Sequence, residues 1–212
     1  MTDQPKPRVL PHYFKDEHQE FEACKLGMWA FLSQEILFFS GLFVAYGIYS
    51  FLYPDMVAYG SSLLDWRMGF INTIFLIFSS FTMVMAVYHI QHDNTKKTMI
   101  NLVATFLFAT IFLVIKGMEY QSKFSHGYFP GMMFSGEAPF DMLHVFFGLY
   151  FVITGLHAIH VIIGMGLIAW LMIKVRKKDV SRHYFTPVEM VGLYWHLVDV
   201  VWIFLFPVLY LI

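Results

Sequence analysis

Eight ionisable side chains stand in or beside long apolar stretches of this sequence: Glu35, Lys116, Glu119, His157, His160, Glu189, His196 and Asp199. Their types allow three kinds of chemistry. A carboxyl or imidazole can take up and release a proton, imidazoles can ligate haem iron or a divalent metal, and any of them can tie helices together by hydrogen bonds. Spacing narrows the choice. His157 and His160 are three residues apart, as are Lys116 and Glu119, and His196 and Asp199, so each pair falls on one side of a helix. Glu189, Gly192, His196 and Asp199 continue the last pair into a stripe, and Gly164 adds a point of close helix approach to the His157–His160 face.

The elements that must carry these groups follow from composition. The chain has 212 residues, 58% hydrophobic and 14% charged, with a mean hydropathy of +0.60. That balance fits lipid as the solvent better than water. Five stretches are long enough to cross a bilayer, at about 26–53, 68–90, 99–118, 142–173 and 188–212. The expected fold is all-α: a polar tail over 1–25, then a bundle of five transmembrane helices over 26–212. The tail is too acidic, and the following apolar stretch too long, for a secretory leader. Pro54 closes the first span and Thr186-Pro187 opens the fifth. Basic residues set the direction. Lys6, Arg8, Lys15, Lys25, Lys96, Lys97, Lys174, Arg176, Lys177, Lys178 and Arg182 flank one side, against Arg67 and Lys123 on the other. The N-terminus is therefore expected inside and the C-terminus outside.

Depth can be read from the same spans. Glu35 lies about 14 Å into the first, His196 and Asp199 about 12–17 Å into the fifth, and His160 and His157 about 20–24 Å before the inner end of the fourth. All five are expected in one middle slab. Charged groups there are expensive and need a reason. For the histidines and Asp199 the plain reason is interhelical bonding; for Glu35, among Phe31, Leu32, Phe38 and Phe39, it is proton handling or a buried neutral hydrogen bond. Lys116 and Glu119 are expected to form an ion pair of structural use near the outer surface.

Other chemistries fit poorly. A single cysteine, Cys24, excludes an internal disulfide, a net charge of −1 gives nothing for nucleic acid to bind, and the sequence holds no Gly-rich phosphate loop or Cys-pair zinc pattern. A haem shared by His157 and His196 leaves His144 and His183 at opposite faces, unable to share a second. A metal clipped by His157, His160 and Asp199 would need neutral ligands and an entry path. A stand-alone proton or solute carrier using Glu35 and Asp199 lacks an inverted repeat or a Gly/Pro-broken pair of spans.

With these residues in view, the chain resembles subunit III of cytochrome c oxidase over most of its length. The resemblance is carried by Lys25-Leu-Gly-Met-Trp-Ala-Phe-Leu-Ser-Gln-Glu35-Ile-Leu-Phe-Phe, Asn72-Thr73, Glu119-Tyr120, Gly155-Leu-His157-Ala-Ile-His160-Val-Ile-Ile-Gly164, and Tyr194-Trp195-His196-Leu-Val-Asp199-Val-Val-Trp202. It starts at what looks like the family's third helix, giving five spans against the usual seven. It implies an accessory subunit without haem or copper, which sit on partner subunits of an O2-reducing, proton-pumping oxidase. It further implies packing against subunit I, bound phospholipid, support of proton uptake and oxygen access, and a bacterial cytoplasmic membrane. Glu35 matches the family's intramembrane carboxylate; His157, His160, Glu189, His196 and Asp199 fall in its polar network. Five-helix members of the family include subunit III of bo-type quinol oxidases and of some bacterial cytochrome oxidases; the quinol oxidase version tends to carry Asp where Glu35 stands, so the resemblance favours the cytochrome c branch, with quinol as the alternative donor.

Overall fold

The structure is a computed structural model, and it describes residues 12, 14–129, 140, 142–182 and 184–212. Six helices run in order: α1 (Glu17–Leu52), α2 (Pro54–Ser62), α3 (Trp66–Gln91), α4 (Thr95–Ser125), α5 (Leu143–Arg176) and α6 (Thr186–Tyr210). All except α2 are long and apolar enough to cross a membrane. The described residues form no strand beyond one isolated bridge, Ser181 to Tyr184.

The helices begin where side chains can satisfy their first free N–H groups. Asp16 caps α1 by accepting from Gln19 N at 2.7 Å, so the helix starts inside the charged stretch expected as tail. Asp65 accepts from Arg67 N and Met68 N at 2.9 and 3.3 Å, and Asn94 from Lys97 N at 3.1 Å. Pro54 and Pro187 sit in the first turns of α2 and α6, where a missing N–H costs nothing. Pro54 thus starts a new helix as well as ending the first span, and α2 was not expected. Asp93, at φ 54°, turns α3 into α4. Its carboxylate accepts from Arg182 N at 3.1 Å, which pins that turn to the α5–α6 connection.

α6 is the hub of the bundle and packs against α1, α2, α3 and α5. In its most apolar stretch 56% of residues are buried, against 17% for α1. Close packing at the hub depends on Gly164 of α5. A Cβ built there would lie 2.6 Å from Trp195 Cζ3, so glycine is what lets the indole approach α5 this closely. Trp195 then donates Nε1–H to Ser79 Oγ at 2.8 Å, and Trp202 donates to Thr73 Oγ1 at 3.1 Å. Two α6 indoles thus span the α3–α6 seam.

Candidate functional site

The eight ionisable residues divide into three groups. Glu35 on α1 meets His160 on α5, with Oε2 3.1 Å from Nε2. The other ring nitrogen, Nδ1, lies 2.8 Å from Leu156 O, a carbonyl that can only accept. Nδ1 therefore carries a hydrogen, and the Glu35–His160 contact needs one further proton held between carboxyl and imidazole. The pair is partly screened by aromatic rings: Phe39 stands edge-on to His160 at 5.3 Å and Phe38 lies 6.5 Å away. Tyr194 OH donates to His160 O at 3.1 Å and joins α6 to this spot.

His157 takes a different path from its neighbour. Three residues on a helix leave two side chains about 60° apart, enough to aim His157 into the bundle while His160 faces α1. His157 is fully buried, tilted 5.2 Å from Trp202 and edge-on to Phe112 at 5.7 Å. Among the described residues its two ring nitrogens have no hydrogen-bond partner, nor do the two oxygens of Asp199 and the side-chain amide of Asn72. Among the described residues no three metal-ligating side chains come together, so His157, His160 and Asp199 do not make a metal-sized set.

The α6 stripe divides as well. Glu189, Gly192 and His196 line a groove of about 370 Å³ against Val84, Val87, Tyr88 and Gln91 of α3, whereas Asp199 is buried. His196 Nδ1 lies 2.8 Å from Ser80 Oγ. His183 lies outside the described residues.

The third group is the most completely bonded. Lys116 and Glu119 pair at 3.0 Å, exposed by only 3% and 2%. Tyr150 and Tyr210 each donate a phenolic hydrogen to Glu119 Oε1 at 2.7 Å. Lys116 Nζ also bonds Tyr150 OH at 3.0 Å and Tyr210 OH, and lies 5.0 Å above the Trp202 ring. Both charges are satisfied from every side, which suits a helix clamp better than a reacting centre. The ion pair was legible in the sequence; its phenolic partners on α5 and α6 were not. Next to this clamp, Tyr120 OH and Thr154 Oγ1 are 2.5 Å apart, and Lys123 bonds Leu63 O beyond the end of α2.

The polar clamp and the α1–α5 carboxyl–imidazole pair fall within one continuous sequence match. Residues 13–212 match the family Cytochrome c oxidase subunit III. The chain belongs to the cytochrome c oxidase subunit III family. It is 32% identical to "Cytochrome c oxidase subunit 3" of Prototheca wickerhamii over 194 residues, covering 88% of this chain and 68% of that one. It is 26% identical to "Probable quinol oxidase subunit 3" of Staphylococcus aureus, covering 91% of this chain and 90% of the relative. A third relative, "Heme-copper oxidase subunit I+III" of Aeropyrum pernix, is 30% identical over 213 residues, which span 96% of this chain but 24% of the relative. With five helices long and apolar enough to cross a membrane, the chain is a multi-pass membrane protein.

Proposed function

We propose that this chain is a non-redox accessory subunit of a proton-pumping haem–copper terminal oxidase in a bacterial cytoplasmic membrane. The family match over residues 13–212 carries that reading. In it, haem and copper sit on partner subunits, and the chain packs against subunit I, helping to keep it active through turnover. The Aeropyrum pernix relative, named for both subunits in a single chain, supports the pairing with subunit I. The Glu35–His160 contact supports a part in proton uptake, since a carboxyl and an imidazole sharing one proton can pass it on with little rearrangement. The apolar cleft between α1 and α6, about 360 Å³ and lined by Ile36, Phe39, Phe43, Val200 and Phe204, suits a phospholipid acyl chain. Lipid held there would leave an apolar path for oxygen.

Quinol is the second reading for the electron donor. It is favoured by length, because this chain covers 90% of the Staphylococcus aureus quinol oxidase subunit against 68% of the Prototheca wickerhamii subunit. One preparation tests all of this. The tagged chain, wild type or Glu35→Gln, is purified in mild detergent from its own membrane and supplied with reduced cytochrome c or quinol. A haem-bearing partner, donor-dependent O2 reduction and slower proton uptake in Glu35→Gln are expected. A colourless preparation that transports protons or solutes in liposomes would overturn the proposal. Equal turnover and equal inactivation of the two forms would reduce Glu35 to a strut.

A further inference from the structure

Three side chains in the middle of the bundle end in polar atoms with no partner among the described residues. They are the two ring nitrogens of His157, the two carboxyl oxygens of Asp199, and the amide oxygen and nitrogen of Asn72. All three residues are buried, with at most 2% exposure. They gather around Trp202. His157 lies 5.2 Å from its ring, and Asp199 precedes it by about one turn of α6. The indole donates to Thr73, which is next to Asn72 on α3. The Trp195–Ser79 and Trp202–Thr73 bonds fix α3 against α6 on either side of Asp199. Asp199 therefore faces α3 near Leu76, one turn along from Asn72.

A buried amide, imidazole and carboxyl leave that much bonding capacity unused only at a high cost. None of the three bonds another, so something between them must complete their bonds. A metal ion does not suit. No three metal-ligating side chains come together among the described residues, and an amide and a neutral imidazole present N–H donors as well as acceptors. Water both donates and accepts, and it bridges groups of this mix. The same seam offers a way in. The α3–α6 groove, about 370 Å³, is lined by Gln91 and Glu189 near the helix ends and by His196 further along. His196 lies 2.8 Å from Ser80 Oγ, and Ser80 is also the hydroxyl that bears on the Asp199 carboxyl. Gly192 sets the width of the groove, since a Cβ there would stand 3.3 Å from Val87 Cγ2.

We propose that Asn72, His157 and Asp199 enclose bound water, and that this water exchanges with solvent through the groove along the α3–α6 seam. The file of water ends at Trp202. Lys116 Nζ, 5.0 Å from that ring, already bonds Glu119, Tyr150 and Tyr210, which uses all three of its hydrogens. Water thus enters from the end of the bundle that carries Glu189, reaches the middle of the span, and goes no further. The site is separate from Glu35–His160, because His160 faces α1. It also changes the part expected of His157 and Asp199: they join helices through water and not by direct bonds.

Radiolytic footprinting of the chain in its native membrane tests this. X-rays split water where it sits, and the hydroxyl radicals oxidise the side chains beside it. Phe112 and Phe147 are both fully buried, but Phe112 is edge-on to His157 at 5.7 Å, whereas Phe147 stacks on Tyr128 at 4.8 Å. Phe112 is expected to be oxidised about fivefold faster than Phe147. Equal rates in the wild type, where no variant is needed, overturn the pocket. Asn72→Leu removes one of its three walls and is expected to slow oxidation of Phe112 while Phe147 keeps its rate; an unchanged Phe112 rate overturns the part given to Asn72. Mixing with isotopically labelled water just before exposure reads the inlet. Oxygen added to Phe112 is expected to carry the label about fivefold more slowly in Gly192→Val, whose side chain would fill the groove beside Val87. Val87→Met blocks the same place from α3 and serves should Gly192→Val fail to fold. Label that arrives equally fast in the blocked chain and the wild type overturns the route along the seam.

Discussion

Lys116 and Glu119 show what a buried charge requires inside a membrane. Neither would be tolerated alone, and the two phenols use the hydrogen-bonding capacity that the ion pair leaves over. Lys116→Met is therefore expected to leave Glu119 as an uncompensated carboxyl at 2% exposure, at a cost of about 3–5 kcal/mol. Replacing both, as Lys116→Met with Glu119→Leu, should recover much of that loss by removing the stranded charge together with its partner. Thermal unfolding of the purified complex in detergent decides the matter; a double variant no more stable than the worse single one would show that the pair is not what the site depends on. The i,i+3 spacing made this pair readable from sequence. Tyr150 and Tyr210 were not readable, because they are 31 and 91 residues from Glu119 and only the packing of three helices brings them in. The same holds for Ser80, which becomes a partner of His196 only once α3 and α6 are in register.

Helices were easier to read than their faces. Apolar length located the five spans, since it is what the bilayer demands of each crossing. It misplaced the helix ends, because backbone hydrogen bonding continues past the last apolar residue wherever a cap such as Asp16 or Asn94 permits it. Nine residues of α2 were too few to reveal a period. Depth along each helix also follows from sequence, but rotation about its axis does not, and rotation is what directs His157 and His160 to different neighbours. Gly164 is one place where an element's rotation is held by a single residue. Gly164→Val would drive a side chain into Trp195 and disturb its bond to Ser79. A loss of about 1–3 kcal/mol is expected, as for an overpacked core. Gly166→Ala, two residues along the same helix with nothing within 4 Å of its Cβ, should be nearly neutral. Equal melting of the two variants would remove the Gly164–Trp195 contact from the list of determinants.

At the scale of the whole molecule the bundle is uneven. Tyr210 OH bonds Glu119 and Leu209 O accepts from Ser61 Oγ at 3.0 Å, so the last turn of α6 is tied to α4 and α2. α1 is the opposite case: it buries the smallest share of its apolar stretch, and Glu35–His160 is a polar contact that fastens it to α5. Stability should therefore be graded across the spans rather than shared among them. Hydrogen exchange on the purified subunit in detergent is expected to show α1 amides exchanging before those of α6. Replacing Glu35 by Ala removes one interhelical bond, worth about 1 kcal/mol in a membrane, and should speed the opening of α1 about fivefold while α6 stays unchanged. Uniform acceleration of all five spans would mean that the bundle opens as one unit and that α1 is no looser than the rest.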